Sequence, residues 1–422
     1  MTTMVSDHPA APRTLAFQAG AKLAAEAAGR LVHFGFIYAA QLSLGPAAYG
    51  HMTYALALGL VAAPVTDLGL QLHVARDLAA STALGRRTLA TALGLKLALA
   101  LLAAPALALV SLSRPPGIRI ATFVLALAVI GQSFVELYAY AFRGLLRAET
   151  DAAIMLLLRA ATAAAGVGAL AAGSGIGGVA LAYLAAAAAT AAMAASWLAG
   201  SLGAGRPELD PQRARALVAR VLPLGVAIVV SMIHVRLAVF LLDAIRTPAE
   251  VADFGVAQKL VESTAMIPAA VMAAVFPAAA RTMAGGGGVP FLERRSAGLL
   301  ALAGTAVAAA GFTLAPAIVR LLYGTQYSGA VRPLQVLALS VVVTFVNYAL
   351  THFMIVRGRT VRLAFFNAAT LIANLAAGIL LIPAGGAAGA AAALVVSEVL
   401  LLLLCISSLR SSIGVPAPPP AR

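Results

Sequence analysis

Apolar residues run along this chain in blocks much longer than an amphipathic helix needs. A membrane-crossing helix takes about 20 mostly apolar residues. About twelve such blocks occur, at 15–42, 51–70, 88–110, 120–140, 152–172, 178–200, 217–242, 256–280, 297–319, 331–355, 361–382 and 385–409. Pro64, Pro223, Pro268 and Pro316 fall inside them. A spanning helix tolerates this where neighbouring helices satisfy the freed backbone groups. The pattern predicts an all-α integral membrane protein of about twelve transmembrane helices.

The gaps between blocks sort by charge. One set holds Arg76, Arg86 and Arg87, then Arg143 and Arg147, then Arg206, Arg213 and Arg215, then Arg281, Arg294 and Arg295, and last Arg357, Arg359 and Arg362. The alternate set, at 43–50, 111–119, 173–177, 243–250, 320–330 and 383–384, is short and poor in charge. The positive-inside rule puts the first set in the cytoplasm. An even helix count then puts both termini there, with a cytoplasmic tail over 1–14 and a Pro-rich tail over 410–422. The longest linker, 201–216, is cytoplasmic and divides the chain into an N-lobe over 15–200 and a C-lobe over 217–409. Six helices is an even number, so the lobes share one orientation, as in parallel repeats. They are expected to enclose a central cavity.

Composition agrees with this reading and closes other doors. The chain of 422 residues is 62% hydrophobic and 10% charged, against about 45–50% and about 25% for soluble domains. A net charge of +14 would suggest nucleic acid in a soluble protein; here membrane topology accounts for it and no nucleic-acid partner is expected. The single cysteine, Cys405, excludes a disulfide within the chain and a cysteine metal site. Residues 1–14 lack the apolar core of a signal peptide. No Walker loop or HExxH is present. The outer connections are too short to build a catalytic site, so an enzyme is not expected, nor a cofactor or metal.

The informative residues are charges inside the blocks. Each costs about 2.5–3.5 kcal/mol at a helix centre, so such residues face a bundle interior or a wet cavity. Gln18, Lys22, Glu26, Arg30 and His33 follow one another at spacings of four, four, four and three. They form one polar stripe about 22 Å long on the first helix. Lys22 either lines the cavity with the others or snorkels to the interface. The seventh block carries His234 and Arg236, which do not share a face. Arg236 is the better cavity candidate, with an interhelical ion pair as its structural alternative. Lys259 either lines the cavity or pairs with Glu262, three residues on. Lys96 and Arg159 either snorkel or line the cavity. Asp67, Glu136 and Glu398 are candidates for coupling to a proton or Na⁺; hydrogen bonds between packed helices are the alternative for the two glutamates. Asn347, His352, Asn367 and Asn374 read as interhelical hydrogen-bonding residues. A cationic cavity in apolar walls suits an anionic substrate such as a pyrophosphate.

Several stretches resemble a known family. Leu44-Gly45-Pro46-Ala47-Ala48-Tyr49-Gly50, Thr66-Asp67-Leu68-Gly69-Leu70 and Val74-Ala75-Arg76-Asp77 resemble the first two helices of Wzx-type polysaccharide (O-antigen) flippases. Phe254-Gly255-Val256-Ala257-Gln258-Lys259-Leu260, with Ile267-Pro268 and Phe276-Pro277-Ala278-Ala279-Ala280-Arg281, is similar to that family's eighth helix. Leu321-Leu322-Tyr323-Gly324-Thr325-Gln326-Tyr327 resembles its glycine–tyrosine turn. The resemblance runs from about Lys22 to Leu409. These flippases belong to the MOP exporter superfamily with MATE drug exporters and lipid II flippases. It implies a MATE-like pair of six-helix lobes. It also implies movement of an undecaprenyl-diphosphate-linked oligosaccharide across the bacterial inner membrane, by alternating access and with proton or Na⁺ coupling. Membrane lipids, a polysaccharide polymerase and glycosyltransferases are the partners implied. The alternatives are a MATE-type or lipid II-type exporter, or a non-transporting component of a polysaccharide synthesis complex. The cationic stripe argues against a cationic-drug exporter.

Overall fold

In lipid every backbone N–H and C=O must find its partner inside the segment, and a helix is the way a single segment does so. The computed structural model obeys this. It describes residues 12–203, 207–285 and 287–410, with side chains over 25–203, 207–285 and 287–409. The terminal tails fall largely outside the described residues, as do Arg206 and the side chains of Gln18 and Lys22. Among the described residues there is no strand. The helices are α1 (Pro12–Asp67), α2 (Leu70–Ala80), α3 (Thr82–Leu112), α4 (Pro116–Gly144), α5 (Ala148–Ala171), α6 (Gly175–Leu202), α7 (Pro211–Ile245), α8 (Pro248–Ser263), α9 (Met266–Ala284), α10 (Pro290–Tyr323), α11 (Val331–Val356) and α12 (Thr360–Arg410). Proline opens α4, α8 and α10, where its missing N–H costs nothing.

Ten stretches of the described residues are long and apolar enough to cross a membrane. The difference from the twelve blocks of the sequence lies at two glycines. α1 is 56 residues long and breaks at Gly45 (φ 72°), and α12 is 51 residues long and breaks at Gly386 (φ 53°). At about 1.5 Å per residue each far exceeds the roughly 30 Å apolar core of a bilayer. The Gly45 break falls inside the expected connection at 43–50, and the Gly386 break lies two residues beyond that at 383–384.

The chain folds as two units. The first comprises residues up to Leu44 together with Leu58–Val229, and the second comprises Gly45–Ala57 and Val230–Arg422. The division thus falls within α7 and takes thirteen residues of α1 into the second unit. In the first unit α4 packs on α6, α5 and α2 around Leu70, Val74, Leu93, Phe142, Ile154, Leu158 and Leu198. In the second, α11 packs on α10, α12 and α9 around Met272, Leu300, Val341, Phe345 and Phe353. Buried Cys405 sits against Met354 in the same unit.

Small residues set the closest approaches, as membrane helix packing requires. A Cβ on Gly50 would lie 1.8 Å from the Pro248 carbonyl oxygen, so α1 meets the start of α8 backbone to backbone. A second break shapes the first unit. α1 ends at Asp67, Leu68 takes φ 48° and Gly69 φ 82°, and α2 resumes at Leu70. A left-handed leucine is uncommon. It is held against α7, where a Cβ on Gly225 would come within 2.6 Å of the Leu68 carbonyl oxygen.

Candidate functional site

The polar stripe of α1 forms a cluster in the first unit. Arg30 lies one turn beyond Glu26 and pairs with it at 3.7 Å. Arg159 of α5 crosses α1 at Gly29, where an added Cβ would touch its Cδ at 2.9 Å, and donates to the Glu26 carbonyl at 3.3 Å. Its guanidinium feels both Arg30 and Glu26. Glu26 thus meets Arg30 through its carboxylate and Arg159 through its backbone carbonyl, and the group carries a net positive charge. His33 lies further along the stripe, its ring 6.2 Å from that of Phe36.

Glu26 and Arg159 also line a cavity of about 200 Å³ with Gln71, Glu136, Arg143 and Asp151. The guanidinium of Arg143 stacks 4.0 Å over Tyr140 and bonds Asp151 at 3.0 Å. The sequence reading singled out Arg143 only as a loop charge and did not weigh Asp151. Their partnership joins the end of α4 to the start of α5 across a tight turn, and eight residues of separation carry no periodic signal.

A second ionic group stands at the helix break. Asp67 accepts from the Lys96 ammonium at 2.6 Å, and the lysine is fully buried. The ammonium also lies 5.3 Å from the Phe134 ring centre. Lys96 does not snorkel: its partner is inside the bundle, where an unpaired ammonium would be costly. Asp77 at the end of α2 accepts from Arg220 of α7 at 3.0 Å and from the Thr88 hydroxyl at 2.8 Å. Neither Asp77 nor Arg220 was a sequence candidate, because each lies near a block end and reads as an interfacial charge.

The second unit also groups one glutamate with two cations, here both on the carboxylate. Glu262 of α8 pairs with Lys259 at 3.0 Å and with Arg236 of α7 at 3.3 Å. Both structural alternatives named for these cations are therefore realised, and in one group. The Arg236 side chain keeps only 16% exposure. His234, two residues earlier, points elsewhere: its Nδ1 is buried without a hydrogen-bond partner, while its carbonyl accepts from Asn374 of α12 at 3.1 Å. Glu398 of α12 accepts from the Asn347 amide at 2.7 Å, a bond between packed helices. The His352 ring bonds the carbonyl of Tyr348 on its own helix at 2.6 Å and so does not bridge helices by that bond. The Asn367 carbonyl takes the Thr370 hydroxyl, again within one helix.

Ten long apolar helical stretches among the described residues, with ion pairs buried between them, define a multi-pass membrane protein. The family model described as polysaccharide biosynthesis protein matches residues 42–332, and the chain belongs to that family. No curated protein sequence matches it. Among solved structures, it is similar to the lipid II flippase MurJ in an inward closed conformation, with TM-score 0.73 and 11% identity over 92% of this chain and 87% of that one. An inward-facing multidrug resistance MATE family transporter of the MOP superfamily gives TM-score 0.70 and 16% identity over 90% of this chain and 96% of that one. A MOP superfamily transporter from Pyrococcus furiosus, described as having a binding pocket of reverse polarity, gives 0.58 and 15% over 94% of each chain. The fold is that of the MOP superfamily, as the sequence resemblance implies.

Proposed function

We propose that this protein flips a polyprenyl-diphosphate-linked oligosaccharide across the bacterial inner membrane by alternating access, for use by the polymerising and glycosyl-transferring enzymes of a polysaccharide pathway. The observation that carries this reading is a cationic group in each unit: Arg30 and Arg159 at Glu26, and Arg236 and Lys259 at Glu262. Arg236 and Lys259 share the Glu262 carboxylate, whereas Arg30 takes the Glu26 carboxylate and Arg159 its backbone carbonyl; each group has two cations to one carboxylate, so one positive charge is left for a visiting anion. Guanidinium forks match diphosphate oxygens in bidentate geometry. An anion that visits a half-buried cation offsets part of its desolvation cost. Family membership supplies the polysaccharide context. His33 and His234 flank the clusters in sequence, and Lys22 precedes Glu26 by four residues in the sequence pattern. Of the three coupling candidates, Asp67 is held by Lys96 and Glu398 by Asn347, whereas Glu136 lines the cavity with Arg159. Glu136 is the carboxylate through which a proton or Na⁺ gradient acts.

The test is complementation of a flippase-deficient strain, scoring surface polysaccharide beside the amount of protein in the membrane. Arg30→Ala and Arg236→Ala should each abolish delivery at normal membrane levels. Lysine at the same positions should restore part of it if charge alone matters, and none if the guanidinium fork matters. Full delivery by the double alanine variant would refute the reading and favour a non-transporting role in polysaccharide synthesis.

A further inference from the structure

We infer that the first unit carries a binding site for an anionic phospholipid headgroup in the groove between the starts of α3 and α7. The groove has a volume of about 220 Å³. Its α3 wall is a single helical face, Leu84, Arg87, Thr88 and Thr91, and its α7 wall has the same spacing from Arg213 to Arg220. Three guanidinium groups line it and no carboxylate does.

The linker before α7 holds the two walls together. The Glu208 N–H donates to the Ala90 carbonyl of α3 at 3.0 Å. The Glu208 carbonyl lies so close to α3 that a Cβ on Gly94 would meet it at 2.5 Å. This places the first turns of α7 beside α3.

The arginines differ in what they already hold. Arg220 is committed to Asp77 at 3.0 and 3.1 Å. Arg213 is committed to Glu208 at 3.2 Å and to Asp210 at 3.3 Å. Arg87 is exposed and makes no ion pair or side-chain hydrogen bond among the described residues. Counting residues 77–91 and 208–220 together, five arginines stand against three carboxylates. The groove thus presents an excess of positive charge led by one uncommitted guanidinium, which suits a singly charged phosphodiester.

The neighbourhood selects a lipid as the source of that phosphodiester. Leu84 stands 48% exposed at the rim, and Leu217 supplies apolar floor. From here α3 and α7 continue directly into apolar spans, with Leu97, Leu101, Leu102, Leu222, Leu224 and Val226 exposed along them. A ligand with a phosphodiester at the arginines and hydrocarbon beside Leu84 fits both halves of the groove. One basic residue near an anionic lipid surface contributes about fivefold in affinity.

The experiment uses the purified full-length chain in detergent micelles, titrated with phosphatidylglycerol or phosphatidylcholine, with thermal unfolding and retained lipid as readouts. Phosphatidylglycerol should raise the unfolding midpoint and be retained over phosphatidylcholine. Arg87→Gln should weaken apparent phosphatidylglycerol affinity about fivefold and leave the phosphatidylcholine midpoint unchanged. Arg87→Lys should keep most of the preference, which separates lost charge from lost packing. Equal phosphatidylglycerol binding by Arg87→Gln and the unaltered chain would overturn the proposal. So would glycerol phosphate giving the same shift at the same concentration, since the groove would then bind a soluble anion.

Discussion

Lys96→Met removes the ammonium from the helix break while keeping most of the side chain's volume. In the intact protein the ammonium is 2.6 Å from Asp67, fully buried, with the aspartate side chain 9% exposed. At that distance the attraction is about 6 kcal/mol with an effective dielectric of about 20. Desolvation of the two ions offsets much of it, so the net worth of the pair is small. Breaking it from one side is different, because the buried carboxylate is left uncompensated, at a cost of about 3–5 kcal/mol. For a unit of this size that is a fall of about 6–20 °C in the unfolding midpoint, at roughly 2–4 °C per kcal/mol. Asp67→Asn together with Lys96→Met removes both charges and should return most of the loss, since a buried pair exchanged for neutral groups is often neutral or better. Thermal unfolding of the purified chain, read by size-exclusion recovery after heating, measures all three. A Lys96→Met midpoint within a degree of the unaltered chain, or a double variant no better than the single, would refute the pairing argument.

Three other outcomes are expected. Cysteine in place of Ala47, which is exposed beside the Gly45 break, should react with a membrane-impermeant thiol reagent applied outside spheroplasts, and cysteine at exposed Ala83 should not; native Cys405 is buried and should stay silent. The reverse pattern would invert the orientation and the direction of flipping. Gly50→Val should destabilise the second unit by at least about 1–3 kcal/mol in a thermal assay, because the added carbon meets the Pro248 carbonyl and not a movable side chain. Glu262→Gln should alter transport in a specific way, because it removes the carboxylate shared by Arg236 and Lys259.

What could be read from the sequence was set by the range of the interactions involved. Hydropathy needs only a window of about 20 residues, and it located the apolar stretches, the connection that holds the Gly45 break, and a connection two residues short of the Gly386 break. Spacing along one helix is equally local, which is why the Glu26–Arg30 and Lys259–Glu262 pairs were legible as neighbours. Partners on different helices were not. Nothing in the chain says that Lys96 will meet Asp67, 29 residues earlier, or that Arg220 will meet Asp77 from 143 residues away. Lys96 and Arg159 lie at similar depth within their blocks, yet one is fully buried on a carboxylate and the other is draped over a glycine beside a cavity. Gly29 is the residue that makes room for Arg159, and a glycine in an Ala-rich helix gives no warning of that role.

The shared glutamate also bears on release. Two bare cations in apolar surroundings would bind a diphosphate tightly and hold it, whereas a carboxylate between them keeps the empty site near balance and competes for each guanidinium or ammonium. On the proposed function, exchange of Glu262 for the substrate anion would trade one ion pair for another, with a smaller net change in free energy than binding to bare cations. Glu262→Gln keeps the shape and a hydrogen-bond acceptor but removes the competing charge. Substrate binding should therefore tighten while turnover falls, the signature of a lost release step and not of a lost site. In membrane vesicles this appears as more lipid-linked oligosaccharide copurifying with the variant and less reaching the opposite leaflet. If Glu262→Gln instead lowered binding and delivery together, as Arg236→Ala should, the glutamate would be a structural anchor for Arg236, and the competition argument would fall.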